Sequence, residues 1–434
     1  MSSIQFAVLA LSIAAPAPKS ASLPGEDWPQ WRGPNRDGVS KETGLLKEWL
    51  KDGPKLLWEF DKAGLGYSSF SVVGDILYTL GAEDAANGNE EFVLAIDIAT
   101  GTEKWRTKIG AYYIKEPWGG GPRGTPTVDG DAVYSLGANG DVACLDRGTG
   151  KLVWSKNLIE EYKGDRGGWG YAESVLIDGD KLIATPGGKA GAMIALNKKT
   201  GDPVWRCQEV TDQAGYSSII VAEVGGVRQY IQQTSKNAIG VRAKDGKLLW
   251  SRADIKYATA VIPTPIFYKD HVFVTSEYGA GCALIKLTQD GDGTKAEKVY
   301  ANKSIENHHG GVIRLGEYVY GHSKTGNTWV CLEFLKKGKD DGPEPASKFK
   351  FDKGSTVYAD GSLYCVSESY GKPGVVVKVA PSPDIWKEEG RFTLPKNDER
   401  RAKNGGVWAH PVVSHGRLFV RDQNFLWCYD VSGK

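Results

Sequence analysis

The sequence predicts an all-β protein, an eight-bladed β-propeller built from four-stranded antiparallel blades. The chain has 434 residues, whereas a single hydrophobic core rarely grows beyond ~250–300 residues. Glycine accounts for 55 residues, roughly twice its usual share of ~7 %, which indicates many tight turns. A unit of short strands also recurs along the chain, and repeated four-stranded units are typical of propeller blades.

The clearest repeat is an eleven-residue run that ends in tryptophan. It starts at Ala95, Cys144 and Ala195 and follows the pattern small residue-x-Asp/Asn-x-x-Thr-Gly-x-x-x-Trp. A degraded copy ends at Trp250, and Trp58 precedes the series. The successive tryptophans (58, 105, 154, 205 and 250) stand 47, 49, 51 and 45 residues apart. The later units lose this tryptophan, and Tyr300 and Phe392 are its expected substitutes.

A second element, two alternating apolar strands around a tight turn, lies upstream of each run. An Asp-Gly or Gly-Asp turn between alternating apolar residues predicts a β-hairpin. Eight such hairpins are expected, near Gly74, Gly130, Gly179, Gly226, Lys269-Asp270, Gly316, Gly361 and Gly416. The last unit stops at Lys434, before its outer strand, and residues 55–60 form a strand without a unit of their own. Pairing that strand with the last unit would close the ring and remove two sheet edges, so the propeller is predicted to span residues 55–434.

The N-terminus predicts export. Residues 4–15 form an apolar run of the length found in signal peptides and too short to span a bilayer. No Lys or Arg precedes it, which departs from the usual pattern. We predict a signal peptide at 1–21, a linker or lead-in segment at 22–54, and a periplasmic or otherwise exported protein without a transmembrane span. A charged stretch at 335–353 is expected to be a solvated loop between the sixth and seventh blades.

Charge and cysteine spacing exclude several classes of function. The net charge of +1 gives no electrostatic reason to expect a nucleic-acid partner. None of the six cysteines lies in CxxC or CxxCH spacing, so metal and c-type haem sites lack support. Five of them lie in apolar β-like runs, which is typical of small buried side chains.

The tryptophan motif resembles the docking motif of the PQQ (pyrroloquinoline quinone) β-propeller repeat family. The resemblance implies that the motif residues dock one blade on the next: Asp97, Gly101, Trp105, Asp146, Gly150, Trp154, Gly201, Trp205 and Trp250. The family includes quinoprotein dehydrogenases, which hold PQQ and Ca²⁺ over the centre of the ring. It also includes non-enzymatic scaffolds, and the eight-bladed BamB-like scaffold is the nearest functional analogue. The adjacent cysteine pair that contacts the quinone in the dehydrogenases has no counterpart here.

Binding residues are expected on one face of the ring. The blade-to-blade connections and the second-to-third strand loops share this face, which we call the loop face, and variable loops on a rigid scaffold commonly carry binding sites. Residues entering the innermost strands there form the predicted ligand site: Arg123, Tyr171, Glu173, Tyr216, His308, His309, Trp408 and His410, with Tyr67 beside them. Tyr, Trp, Arg and His around a concave mouth suit a planar, anionic or carbohydrate-like ligand.

Catalytic and metal-binding roles have weaker support. We predict no metal site, because the side chains of adjacent His308 and His309 should diverge along a strand. Glu173 as a Ca²⁺ ligand or general base is an alternative, although no second carboxylate stands at recognisable spacing. A hydrolase or lyase would require carboxylates converging with His308 or His410.

The leading hypothesis is a monomeric, non-enzymatic scaffold without cofactor that binds an unidentified protein, glycan or small molecule at the channel mouth. The alternative is a quinoprotein-like oxidoreductase, a PQQ- and Ca²⁺-dependent alcohol or sugar dehydrogenase.

Overall fold

Eight four-stranded antiparallel sheets follow one another along the chain and close into a ring. The computed structural model describes residues 25–115, 117–255, 259–336 and 342–433. The expected signal peptide at 1–21 lies outside these residues. The predicted all-β, eight-bladed propeller is confirmed, and within the described ranges no helix is long and apolar enough to cross a membrane.

The first four blades contain strands β2 to β17, and each sheet runs in chain order from the innermost to the outermost strand. Blade 1 comprises β2 (Ser71–Val73), β3 (Ile76–Glu83), β4 (Glu90–Asp97) and β5 (Glu103–Gly110). Blade 2 comprises β6 (Thr127–Asp129), β7 (Ala132–Leu136), β8 (Asp141–Asp146) and β9 (Leu152–Asn157). Blade 3 comprises β10 (Leu176–Asp178), β11 (Lys181–Ala184), β12 (Met193–Asn197) and β13 (Pro203–Cys207). Blade 4 comprises β14 (Ile220–Val224), β15 (Val227–Gln233), β16 (Ala238–Arg242) and β17 (Leu248–Arg252).

The remaining blades complete the ring with β1 and β18 to β32. Blade 5 comprises β18 (Ile266–Tyr268), β19 (His271–Ser276), β20 (Gly281–Asp290) and β21 (Gly293–Asn302). Blade 6 comprises β22 (Val312–Leu315), β23 (Tyr318–Ser323), β24 (Thr328–Glu333) and β25 (Ser347–Phe349). Blade 7 comprises β26 (Gly354–Ala359), β27 (Ser362–Ser367), β28 (Val375–Ala380) and β29 (Lys387–Thr393). Blade 8 comprises β30 (Val412–Ser414), β31 (Arg417–Asp422), β32 (Phe425–Asp430) and β1 (Lys55–Phe60).

All eight predicted hairpins are present, each joining the first and second strands of a blade. The predicted closure is also confirmed, since β1 pairs antiparallel with β32 from Lys55↔Asp430 to Phe60↔Leu426. The ends of the propeller are therefore held together by a sheet, and neither β1 nor β32 presents a free edge toward the other.

Four of the motif tryptophans dock one blade on the next through one repeated contact. The Trp105 indole lies against Gly150 in the following blade, and its Nε1–H donates to the Arg147 carbonyl at 3.1 Å. Trp58 makes the same pair of contacts with Gly101 and the Ile98 carbonyl. Trp154 with Gly201 and Trp205 with Gly246 repeat the arrangement.

Later blades keep the docking position with other residues. The Tyr300 hydroxyl donates to the Phe334 carbonyl of the next blade at 3.1 Å. Phe392 lies against Gly53, so a glycine from the segment before β1 takes the turn position in the last blade. Trp250 differs, because its Nε1–H donates at 2.7 Å to Gln229 of its own sheet. The following blade has a tight β20–β21 hairpin instead of a Thr-Gly turn, and the buried Trp250 packs against its apolar residues.

The segment before β1 fills the channel of the ring. Trp28 exchanges backbone hydrogen bonds with Val72 on the innermost strand of blade 1, at 2.7 and 2.8 Å. Further along, Arg32 donates to the Val312 carbonyl of blade 6 at 2.6 Å, and Arg36 donates to the Ser174 carbonyl beside blade 3 at 2.7 Å. Both arginines are buried. Residues only four apart thus reach two blades across the ring, which closes the channel below the loop face.

The cysteines and the charged stretch at 335–353 also have a defined place in the fold. All six cysteines are free and buried, as expected for apolar core positions. The expectation that 335–353 is a loop between blades is wrong, because this stretch contains β25, the outer strand of blade 6. Its many charges concealed a three-residue edge strand, in which Ser347 is buried and Phe349 is half-buried.

Candidate functional site

A cavity of about 380 Å³ opens at the centre of the loop face. Its walls come from the connections that enter the innermost strands and from two second-to-third strand loops. Eight aromatic side chains line it: Trp31, Tyr67, Trp118, Trp169, Tyr216, Tyr278, Tyr370 and Trp408. Trp31 belongs to the segment that fills the channel, and its indole donates to the Thr264 hydroxyl at 2.9 Å. The segment therefore contributes part of the cavity wall as well as closing the ring.

The structure brings six of the eight predicted ligand-site residues to this cavity, together with Tyr67. They are Arg123, Tyr216, His308, His309, Trp408 and His410. Their function in binding stays a prediction, but they share one concave surface, as expected for residues that enter the inner strands on the loop face.

Tyr171 and Glu173 do not reach the cavity. Ala172 lines it, and successive side chains of an extended segment point to opposite sides. The Tyr171 hydroxyl donates to the Pro186 carbonyl at 2.8 Å inside the core. A Glu173 carboxylate oxygen accepts the Thr185 N–H at 2.7 Å, and burial raises the pKa of Glu173 to about 8.

Three charged residues that the sequence analysis missed lie at the cavity or directly behind it. Glu277 and Glu368 each follow the second strand of a hairpin, β19 and β27 respectively, and Lys353 lies between β25 and β26. The shared position of the two glutamates at the start of a second-to-third strand loop was a usable signal. No such signal in the sequence marked Lys353, because it belongs to the stretch interpreted as a solvated loop.

These residues form a compact ionic cluster with the adjacent histidines. The Lys353 Nζ lies 2.7 Å from a Glu277 carboxylate oxygen and 2.7 Å from the His308 Nδ1. A Glu368 oxygen lies 3.1 Å from the His309 Nδ1 and 3.9 Å from Lys353. The second Glu368 oxygen accepts the Tyr370 hydroxyl at 2.6 Å.

The two histidine rings lie side by side, with centroids 3.7 Å apart. The expectation that they diverge is wrong because they stand in the irregular connection between β21 and β22, not in a strand. His309 stacks on Trp408 at a centroid distance of 4.4 Å. Trp408 in turn lies 4.6 Å from the Tyr67 ring, so the histidine is held by an aromatic stack.

The charge states of the cluster follow from burial and neighbours. Burial alone would raise the pKa of Glu368, but His309, Lys353 and Tyr370 outweigh it and lower the pKa to about 2. Burial, with His309 and Lys353 nearby, lowers the pKa of His308 well below its usual value. Glu368 is therefore ionised and His308 neutral near pH 7.

His410 is also neutral near pH 7. Burial, and next the nearby Arg32, lower its pKa to about 3. Its Nε2 lies 2.7 Å from the His309 carbonyl oxygen, so His410 fixes the backbone of the histidine pair.

Arg123 supports the rim of the cavity. Its guanidinium donates at 2.8 Å to the carbonyls of Gly121 and Gly119 and lies over the rings of Tyr67 and Tyr113. These bonds hold the Gly-rich connection of blades 1 and 2 against the cavity. Two of the five N–H donors of Arg123, which were expected to bind an anionic ligand, are thus used within the protein.

A divalent cation would have to compete with Lys353. His308, His309 and Glu368 have ligand atoms within 4.8 Å of one another, but the Lys353 ammonium already bonds His308 and lies close to Glu368. Glu277, the other carboxylate of the cavity, bonds the same ammonium. The residues present therefore do not fit the Ca²⁺ of a PQQ site, for which unpaired carboxylate oxygens are the suitable ligands.

Comparisons with known proteins match the repeat-containing part of the chain to one family. A family model described as outer membrane protein assembly factor BamB matches residues 89–337, more than half of the chain. BamB of Moranella endobia is 26 % identical over 168 residues, 37 % of this chain and 37 % of that protein. BamB of Shewanella oneidensis is 23 % identical over 252 residues, 55 % of this chain and 56 % of that protein. The matched regions thus span between about a third and just over half of these relatives.

A solved structure shares the fold over most of the chain. The quinohemoprotein alcohol dehydrogenase of Comamonas testosteroni superposes with a TM-score of 0.61 at 14 % identity, covering 94 % of this chain and 81 % of that one. At this identity the likeness concerns the fold alone.

Proposed function

The chain belongs to the PQQ-repeat β-propeller family of the outer membrane protein assembly factor BamB, and on this premise we propose that it is a non-enzymatic binding scaffold. It acts through its loop face, where a protein, glycan or small molecule occupies the central cavity. It is exported, works as a monomer and needs no cofactor. The export and the partner classes rest on the apolar N-terminal run and on the family, whose named members are assembly factors.

One observation carries the proposal, namely the aromatic cavity at the centre of the loop face. Concave sites with aromatic walls and few polar groups are the usual place for ligands, and a rigid ring with variable loops suits recognition. The cavity also has a floor, because the Trp31 segment fills the channel beneath it. A cavity that is already formed before binding loses little conformational entropy when a ligand enters.

The alternative is a quinoprotein-like oxidoreductase with PQQ and Ca²⁺ at the same place. The fold shared with a quinohemoprotein dehydrogenase is compatible with it, but the paired state of Glu277 and Glu368 speaks against it. Both carboxylates are bonded to protein cations or donors, and the Lys353 ammonium lies within 4 Å of both of them.

Photocrosslinking in the cells that make the protein tests the scaffold. A benzoylphenylalanine is introduced in place of Trp118, which is 39 % exposed at the cavity rim. The matched control carries it in place of Asp131, whose side chain is fully exposed in the β6–β7 turn on the opposite face. We expect adducts from position 118 and none from position 131. Native mass spectrometry of the purified protein detects a bound small molecule that yields no protein adduct.

The proposal fails if position 131 gives the same adducts as position 118. It also fails if position 118 gives no adduct and the purified protein carries no ligand.

A further inference from the structure

We propose that His308 and His309 are held in opposite tautomers and together form a donor–acceptor pair that recognises vicinal hydroxyl groups of a neutral carbohydrate. This inference rests on the proposed function, since it names the ligand class of the same cavity. It depends on which charged group bonds the Nδ1 atom of each ring, because the partner of one ring nitrogen fixes the role of the other.

His309 presents an acceptor. Its Nδ1 faces a Glu368 oxygen at 3.1 Å, and an ionised carboxylate only accepts hydrogen bonds. Nδ1 therefore carries the proton, and in the neutral form of the ring Nε2 is the acceptor. Glu368 cannot turn away easily, because it is buried and its second oxygen accepts the Tyr370 hydroxyl.

His308 presents a donor. Its Nδ1 lies 2.7 Å from the Lys353 Nζ, and an ammonium group only donates hydrogen bonds. Nδ1 must therefore accept, and the proton of the neutral ring is on Nε2. A Glu277 oxygen holds Lys353 in place at 2.7 Å; the same oxygen lies 3.4 Å from the His308 Nδ1, well beyond the 2.7 Å of the ammonium, so the Lys353 bond determines the role of Nδ1.

The two Nε2 atoms then offer opposite hydrogen-bonding roles from adjacent rings. In the part of the chain that the structure describes, neither Nε2 has a hydrogen-bond partner, and both residues line the cavity. Two neighbouring hydroxyls satisfy the pair, since one donates to His309 and the other accepts from His308. A carboxylate or phosphate satisfies His308 alone and meets the lone pair of His309 with repulsion.

The charge and the rim of the cavity favour a sugar. Lys353 and Arg123 are balanced by Glu277 and Glu368, so the cavity attracts neither an anion nor a cation strongly. Three aromatic rings at its rim remain exposed: Trp118 at 39 %, Tyr278 at 50 % and Tyr370 at 51 %. Exposed rings of this kind offer apolar faces to the C–H groups of sugar rings, while the histidine pair takes the hydroxyls.

The tautomers are measured without any ligand. The protein is labelled with ¹⁵N-histidine, its imidazole signals are recorded at about pH 8.5, above the ordinary histidine pKa of ~6.5, and His308→Gln and His309→Gln assign them. We expect a protonated Nδ1 in His309 and a protonated Nε2 in His308. Finding both rings in the same tautomer overturns the proposal.

Binding is measured by calorimetry with cellohexaose, xylohexaose and maltohexaose. In Glu368→Gln the amide can donate to the His309 Nδ1, because Tyr370 keeps the oxygen side; the His309 Nε2 then becomes a donor. We expect at least a tenfold weaker affinity for the bound hexaose, the scale of losing one well-placed hydrogen bond. Glu223→Gln, an exposed change on β14, should bind like wild type, and unchanged melting temperatures confirm that both variants fold.

The outcomes separate this inference from the proposed function. Binding of a hexaose that Glu368→Gln leaves unchanged overturns the role of the histidine pair. Failure to bind all three hexaoses overturns the carbohydrate assignment, even if the tautomers are opposite. In either case adducts at position 118 would still support the scaffold, whereas their absence together with a bound hexaose would identify a small-ligand binder.

Discussion

Replacing Gly150 by alanine should destabilise the propeller more than the same change at Gly130, although both glycines lie in turns of blade 2. Their φ angles are +73° and +56°, so each alanine pays ~1–2 kcal/mol for a left-handed backbone. At Gly130 a Cβ meets nothing within 4 Å, whereas at Gly150 it would lie 2.5 Å from Cδ2 of Trp105. Overpacking typically costs ~1–3 kcal/mol, so the difference between the variants should be of that size.

Equilibrium denaturation in urea measures this difference as a shift in the midpoint at constant slope. We expect Gly150→Ala to unfold at a clearly lower urea concentration than Gly130→Ala. Combining Gly150→Ala with Trp105→Leu should cost less than the sum of the single changes, because the smaller side chain removes the clash. Equal midpoints for the two alanine variants would refute the argument that the tryptophan–glycine contact couples neighbouring blades.

Two other predictions concern buried ionisable side chains. Arg36→Ala removes the bond to the Ser174 carbonyl at 2.7 Å and should lower the free energy of unfolding by ~1–3 kcal/mol. The control Arg391→Ala, at a half-exposed position on β29, should change this free energy by ~0.5 kcal/mol or less. Equal losses in urea denaturation would contradict a stabilising role of the segment in the channel. Burial raises the pKa of Glu173 to about 8 in the folded state, against ~4.3 in the unfolded chain. Between these pH values the folded protein holds a proton that the unfolded chain has lost. The free energy of unfolding therefore falls as the pH rises from about 5 to 8. Glu173→Gln should flatten this decline in melting temperature, and an unchanged slope would contradict the raised pKa.

The fold was predictable because each blade repeats a local pattern. Hairpin turns such as the one at Gly130 and the Thr-Gly turn at Gly150 are encoded within a few residues, and the spacing of the tryptophans gives the blade length. The docking positions of Tyr300 and Phe392 also followed from their place in the repeat. Even the closure by residues 55–60 could be deduced, since this strand belonged to no unit of its own and the last unit lacked its outer strand.

The site was predictable only in part because its contacts are long-range. The inner-strand entry points placed His309 and Trp408 on the loop face, but no local pattern announces that Lys353 joins them. Trp31 belongs to a segment that has no repeat, so nothing in its neighbourhood indicates that it enters the channel. Glu173 was assigned to the mouth from its position in the chain, and the alternation of side chains around Ala172 turned it inward.

Titration of the purified protein with PQQ in the presence of Ca²⁺ separates the scaffold from the dehydrogenase, because only the dehydrogenase would hold the quinone and the metal ion in the cavity. Quinone absorbance, thermal shift and dye-linked alcohol oxidation are followed in the same samples. With Lys353 bonded to Glu277 and close to Glu368, we predict no saturable binding, no stabilisation and no oxidation. A saturable, Ca²⁺-dependent complex that stabilises the protein and oxidises alcohols would contradict a scaffold without cofactor.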